Sequence, residues 1–342
     1  MPGDDTLRDS KRTMLGVGEL STPHPDDNLI GKLLIGRYVV EARLGQGAFG
    51  AVYRGYHSKL RRPVAIKVLH PHLVHEPSIL QRFRREAQLA ARLAHANVAG
   101  VLDVGETIEG RQLMVLELAP GRPLTELLGE PMPRGRVVGL VRQLLCGLEH
   151  AHAAGLVHRD LKPDNIIVES CADGSEIPRI VDFGIAVLHD PDDSLATSRL
   201  TATGQLIGTP LYMAPEQGRL EAVDHRADLF ALGVIVYQML SGMTPFMGSA
   251  VEVAIANMSK DPPSIAERAA VDADPMLERF ARKLMARNVD HRFPSARAAL
   301  AALDLIERDP TAAGLALGIT DLAKALAIVS LPMPPPKGHP PK

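Results

Sequence analysis

The sequence is poor in sulfur, poor in aromatic rings and balanced in charge. Two cysteines, Cys146 and Cys171, are too few to scaffold 342 residues with disulfides, so a reducing compartment is expected. Trp is absent and aromatic residues make up 4% of the chain. Lys and Arg total 38 against 40 Asp and Glu. A net charge of -2 gives no whole-chain electrostatic reason to bind nucleic acid. Met1 to Asp27 is polar and lacks an apolar run, so no signal peptide is expected and the expected location is cytoplasmic. Thr311 to Leu331 is mostly apolar but carries Asp321 and Lys324. Each such charge costs about 2.5–3.5 kcal/mol at the centre of a membrane helix. The segment therefore reads as an Ala/Leu helix that packs on the domain or on a partner. What is present, 46% hydrophobic and 23% charged residues, is the composition of a folded globular chain.

Residues 1–34 are rich in Asp, Ser, Thr and Pro and read as a flexible tail, and residues 309–342 read as a helical segment ending in the Pro-rich run LPMPPPKGHPPK. Between them, the first part has strand character. Val64 to Val68 is a β-branched run after Pro63, and strands are expected over Val98–Gly105 and Leu113–Leu118. Leu80, Phe83, Ala87, Leu89 and Ala90 repeat at the helical period and predict a helix over Ser78–Leu93. The second part is helical. Val137, Val141, Leu144, Leu145 and Leu148 form one stripe, and Leu229 to Leu240, apolar on nearly every side, predicts a buried central helix. Ala119-Pro120-Gly121-Arg122-Pro123 reads as a hinge. The expected fold class is α+β, with a small antiparallel β lobe holding one key helix and a larger, mainly helical lobe.

Several short motifs carry chemistry. Gly45-Gln46-Gly47-Ala48-Phe49-Gly50-Ala51-Val52 is a glycine loop whose backbone N–H groups can approach phosphate oxygens. The same glycine spacing marks dinucleotide sites, but there a helix follows at once. Here Ala51 to Gly55 continues as strand, which favours a hairpin lid over a nucleotide. Lys67 ends a short apolar strand, where it is either a surface lysine or, behind a glycine lid, a phosphate ligand. Such a lysine needs a carboxylate to hold it, and Glu86 on the next helix is the candidate. His158-Arg159-Asp160-Leu161-Lys162-Pro163-Asp164-Asn165 and Val181-Asp182-Phe183-Gly184 follow. Asp160, Asn165 and Asp182 could divide two tasks, one accepting a substrate proton and two holding Mg²⁺, a hard cation that prefers oxygen.

This ordered set resembles the protein kinase family, in its serine/threonine branch and its bacterial, eukaryotic-like form. Lys162-Pro163 between Asp160 and Asn165, and Gly208-Thr209-Pro210-Leu211-Tyr212-Met213-Ala214-Pro215-Glu216, carry the branch assignment. The resemblance implies a bilobal kinase domain over 35–308, with lobes of about 35–118 and 119–308. It implies ATP and Mg²⁺ as cofactors, with Mn²⁺ able to substitute, and Ser/Thr-bearing protein substrates. On that template Gly45, Gly47 and Gly50 cover the phosphates, and Lys67 binds them and pairs with Glu86. Asp160 is the base, Asn165 and Asp182 hold the metal, and Lys162 contacts the γ-phosphate. Leu44, Val52, Ala65 and Ile167 sandwich the adenine, whose edge meets the backbone of Glu117 and Ala119, with Leu116 as gatekeeper. Thr209 bonds near Asp160 and Lys162, Glu216 pairs with Arg292, and Asp228 caps the catalytic loop. Thr201 and Thr203 stand at the spacing of phosphorylated sites in bacterial members, and a phosphate there could pair with Arg159. Self-association would allow such phosphorylation in trans. A pseudokinase scaffold or nucleotide-dependent switch is the alternative, but Lys67, Asp160 and Asp182 are all retained. A small-molecule phosphotransferase is the third reading, against which the 208–216 segment stands. His70, His72 and His75 resemble a metal cluster on paper only.

Overall fold

A computed structural model describes residues 29–47, 50–183, 210–269 and 273–329. The upper lobe is one antiparallel sheet with strands in the order β1-β2-β3-β4-β6-β5. These are β1 (Leu33–Leu34), β2 (Tyr38–Gln46), β3 (Gly50–His57), β4 (Pro63–Leu69), β5 (Val101–Glu106) and β6 (Gln112–Glu117). Helix α1 (Pro77–Ala90) crosses between β4 and β5. The strand period explains how β4 serves two cores. Val64, Ile66 and Val68 face Leu29, Leu34 and Tyr38, whereas Ala65 and Leu69 face Phe83 and Ala87 of α1. Lys67 shares the second face, so its ammonium emerges beneath the sheet and not into solvent.

On α1 the buried positions are Ile79, Phe83, Glu86, Ala87 and Ala90, one helical stripe that happens to include a carboxylate. Pro77 opens the helix at its first turn, where its missing N–H costs nothing. The start lies one residue, and the end three residues, before the sequence expectation.

The lower lobe is built on α2 (Arg134–Ala153) and α4 (Arg226–Ser241). Nearly every residue of α4 is buried, as expected of a central helix, and Gly242 caps it in the left-handed region at φ 75°. A small sheet of β7 (Arg122–Pro123), β8 (Ile166–Ser170) and β9 (Glu176–Ile180) lines the top of this lobe. The loop before β5 is tied to it. Ala99 N–H donates to Ile180 O at 2.9 Å, Ile180 N–H to Asn97 O at 2.8 Å, and the Asn97 amide to Pro178 O at 2.8 Å. The short helices α3 (Pro215–Gly218), α5 (Ala250–Ser259) and α6 (Ile265–Ala269) precede α7 (Pro275–Leu284) and α8 (Ala296–Arg308).

Packed chain continues into both flanking segments. Leu29 is buried against β1, so packed chain begins before residue 35. At the other end, the apolar stretch forms two helices, α9 (Pro310–Ala316) and α10 (Leu322–Val329), parted at Gly318 with φ 69°. Ala313, Leu317 and Ala325 join the lower-lobe core, so this segment packs on the domain. Among the described residues no helix is long and apolar enough to cross a membrane.

Candidate active site

The site lies where the two lobes meet. From above, β4 delivers Lys67, and its Nζ donates to Asp182 Oδ1. From below, the chain after α2 turns into the loop His158–Asn165. Lys162 Nζ donates to Asp160 Oδ2 at 2.8 Å, and the Asn165 amide donates to Asp160 O at 2.8 Å. Val181 N–H donates to Asn165 O at 2.9 Å, which joins the Asp182 turn to this loop. Lys67, Asp160, Lys162, Asn165 and Asp182 are thereby joined in one hydrogen-bonded set across 115 residues of sequence.

Burial sorts their protonation. Asp182 is largely enclosed, which alone would raise its carboxyl, but the Lys67 ammonium holds it below the ordinary 3.8 and keeps it ionised. The Asp160 side chain, in contrast, keeps 45% of its surface exposed and can meet an incoming hydroxyl. Asn165 spends its amide N–H on Asp160 O, which leaves its side-chain oxygen as an acceptor or cation ligand. An amide oxygen and a carboxylate suit Mg²⁺. Among the described residues no group of three or more His, Cys, Asp or Glu is arranged to hold a metal alone. Of the three histidines near β4, His70 Nε2 donates to Gly47 O at 2.9 Å and so ties the glycine hairpin down.

The loop is held from behind by Asp228, buried in the first turn of α4. Its carboxylate accepts from the backbone N–H groups of His158 and Arg159, both at 2.8 Å, and from His152 Nε2 at 2.8 Å. These donors keep a fully buried carboxyl ionised, below the ordinary 3.8. His158 itself is buried, with Nε2 donating to Val181 O at 3.0 Å and Nδ1 accepting from Asp160 N–H at 3.3 Å. Glu216 and Arg292 form the expected pair with two contacts of 2.7 Å.

Above the loop, Leu44, Val52, Ala65, Leu116, Ala119 and Ile167 gather in one apolar cluster. Glu117 N–H is engaged by Gly100 O at 2.9 Å, and the Ala119 backbone N–H enters none of the backbone hydrogen bonds among the described residues. The glycine hairpin of β2 and β3 closes over it. An added Cβ at Gly50 would lie 2.1 Å from Val68 O, so the strands approach too closely for any side chain there.

Residues 38–303 match the family model described as protein kinase domain. The chain belongs to the protein kinase family. It is 39% identical over 295 residues to serine/threonine-protein kinase pkn3 of Myxococcus xanthus, covering 85% of this chain and 53% of that protein. To serine/threonine-protein kinase PknL of Mycobacterium tuberculosis it is 38% identical over 288 residues, covering 83% and 69%. The PknI kinase domain of Mycobacterium tuberculosis superposes with a TM-score of 0.62 at 27% identity, covering 80% of this chain and 96% of that one. The chain thus spans about half the length of the first of these relatives.

One expected kinase contact is not made. Lys67 bonds Asp182, and among the described residues it forms no ion pair with Glu86. Glu86 Oε2 is buried without a partner, and burial pushes its carboxyl up to about 8 despite the nearby Arg159 and Lys67 charges. Arg159, close enough to act on it, has its own Nε buried and unpartnered. The kinase therefore stands with α1 in place but its carboxylate not engaged. Gly184, Thr201, Thr203, Gly208 and Thr209 lie outside the described residues. His152 and Gln217 are the functional neighbours that sequence reasoning missed; the Gln217 amide donates to Arg159 O at 2.8 Å. A cleft of about 890 Å³ lies elsewhere on the kinase, between Arg219, Arg279, Arg282, Lys283 and Arg287, and touches none of the residues named above for nucleotide or proton transfer.

Proposed function

We propose that this chain transfers the γ-phosphoryl group of ATP to serine and threonine hydroxyls of proteins. The observation that carries the reading is the single hydrogen-bonded set formed by Lys67, Asp182, Asn165, Asp160 and Lys162. Asp160 accepts the hydroxyl proton as the oxygen attacks, and Lys162 holds its carboxylate in place while facing the transferred group. Lys67 leaves Asp182 for the phosphates, and Glu86 moves to support it. Asn165 and Asp182 would hold Mg²⁺, which would neutralise charge on the phosphates when bound. Gly45, Gly47 and Gly50 cover the phosphates, and the Leu44, Val52, Ala65 and Ile167 cluster takes the adenine against the Glu117 and Ala119 backbone. Phosphoryl transfer asks mainly for positioning and charge neutralisation, which these groups supply.

The unengaged Glu86 supports a regulated enzyme. Phosphate on Thr201 or Thr203, placed in trans by a second copy, would bring negative charge within reach of Arg159 and help draw the lobes into the working state. A cytoplasmic location, with two free cysteines and a supply of ATP, fits this reading.

The test uses the full chain with ATP, Mg²⁺ and a generic protein substrate. Phosphoserine and phosphothreonine should form, and Asp160→Asn and Lys67→Met should abolish them. Transfer unchanged in Asp160→Asn would sink the assignment of the base. A loop found free of phosphate after incubation with ATP, by mass spectrometry, would remove Thr201 and Thr203 from the account.

A further inference from the structure

Three consecutive peptide groups around Asp160 are each held by side chains from other parts of the chain. Arg159 N–H donates to Asp228 Oδ1 at 2.8 Å. Arg159 C=O accepts from Gln217 Nε2 at 2.8 Å. Asp160 C=O accepts from the Asn165 amide at 2.8 Å. Arg159 sits in the left-handed region at φ 63°, a conformation that costs a non-glycine residue about 1–3 kcal/mol and survives only when its surroundings over-determine it. Asp228 holds the N–H side of that residue and Gln217 holds its carbonyl side.

Gln217 is 5% exposed. Its Oε1 accepts from Ala214 N–H at 3.1 Å, and its own N–H donates to Ala214 O at 3.0 Å. Both ends of its side-chain amide are therefore committed, one to the segment that leads from Pro210 to Ala214 and one to the peptide that precedes Asp160. No aliphatic side chain could serve both, since each would leave a buried carbonyl or N–H unpaired.

We infer that Gln217 is a positioning residue for phosphoryl transfer: its amide locks the Arg159 carbonyl and so couples the 210–214 segment to the orientation of the Asp160 carboxylate. The inference rests on Asp160 being the base. Gln217 touches neither nucleotide nor hydroxyl in this scheme, so its removal acts on the transfer rate and not on nucleotide affinity.

Gln217→Glu separates the two bonds. One carboxyl oxygen still accepts from Ala214 N–H, and the other faces the Arg159 carbonyl. When protonated it donates as the amide did; when ionised it repels. A carboxyl buried this deeply titrates above its usual range. Single-turnover transfer at saturating ATP and peptide is measured for wild type, Gln217→Glu and Gln217→Leu, alongside binding of a non-hydrolysable ATP analogue. Relative to wild type, Gln217→Glu should lose about tenfold more rate at about pH 8.5 than at about pH 6, and Gln217→Leu should lose about 10–100-fold at both. Analogue binding should stay within about twofold throughout. A Gln217→Glu rate that keeps a constant ratio to wild type across that range overturns the inference. So does a loss of analogue binding in step with rate, which would make the residue a purely structural one. Asp160→Asn is read in parallel: transfer surviving in it defeats the base assignment, whatever the Gln217 variants do.

Discussion

Glu86→Gln should make the protein more stable and less active, with a stability gain that depends on pH. Glu86 lies on the buried stripe of α1 with Oε2 unpartnered, and its carboxyl is pushed from the ordinary 4.5 to about 8 by burial. One pH unit of displacement corresponds to about 1.4 kcal/mol. Relative to acid pH this displacement therefore removes about 3 kcal/mol of stability at pH 7, and about 5 kcal/mol at the ceiling above about pH 8. The folded chain retains a proton that the unfolded chain releases near 4.5. Its stability is thus full below 4.5 and is lost as pH rises toward about 8. The amide has the same shape and does not titrate. In urea unfolding without nucleotide, the gap between Gln and Glu chains should open between about pH 5 and 8, with a slope approaching about 1.4 kcal/mol per unit. These are upper limits, because an ionised carboxylate that swings to Lys67 recovers part of the loss. Transfer activity should fall about 100-fold in the same variant, since an amide cannot neutralise Lys67. A gap that stays level across this range would refute the burial argument. A fully active variant would refute the idea that Glu86 must engage Lys67.

Removing Arg292 as Arg292→Met leaves Glu216 buried and unpaired, and should cost about 3–5 kcal/mol in the denaturation free energy; a loss under about 1 kcal/mol would mean that the two 2.7 Å contacts are energetically idle. Asp228→Asn keeps the shape but offers one acceptor oxygen to three donors, so about 2–4 kcal/mol should go. That difference should be present at neutral pH and vanish as pH falls below the ordinary 3.8, because the native carboxyl titrates lower still. Gly50→Ala puts a methyl 2.1 Å from Val68 O and should weaken nucleotide binding by about tenfold or more in calorimetry while leaving the lower lobe folded; unchanged affinity would show that the hairpin can open without penalty.

What could be read from the sequence divides by what each residue answers to. Lys67, Asp160, Asn165 and Asp182 were legible as candidate phosphate and Mg²⁺ ligands from their side-chain chemistry and motifs, Lys162 and the division of roles only through the family resemblance, and the strand and helix around them follow from local period. The Glu216–Arg292 pair and the Asp228 cap were legible only through the family resemblance, since nothing in their spacing brings them together. Gln217 and His152 were not legible at all: their partners are a backbone carbonyl 58 residues away and a carboxylate 76 residues away. The 311–331 stretch announced its apolar character but not its break. Its two helices fold back so closely that a Cβ on Gly314 would meet Leu322 Cδ1 at 2.3 Å, and that surface exists only once α7 has formed.

The same distinction explains why Lys67 rests on Asp182 here and not on Glu86. Identity of residues states which contacts are available; the choice among them is a balance of a few kcal/mol. Here Asp182 offers Lys67 a carboxylate already ionised, while Glu86 must first lose a proton that burial makes it keep. At neutral pH the first pairing is favoured, and the φ 63° backbone of both Arg159 and Asp182 shows strain held at the two ends of the set. Phosphates arriving in the cleft would shift that balance by drawing the lysine off Asp182, whose freed carboxylate could then serve as a cation ligand. On the proposed function, the Lys67–Glu86 pairing would be assembled by the phosphates of the nucleotide itself.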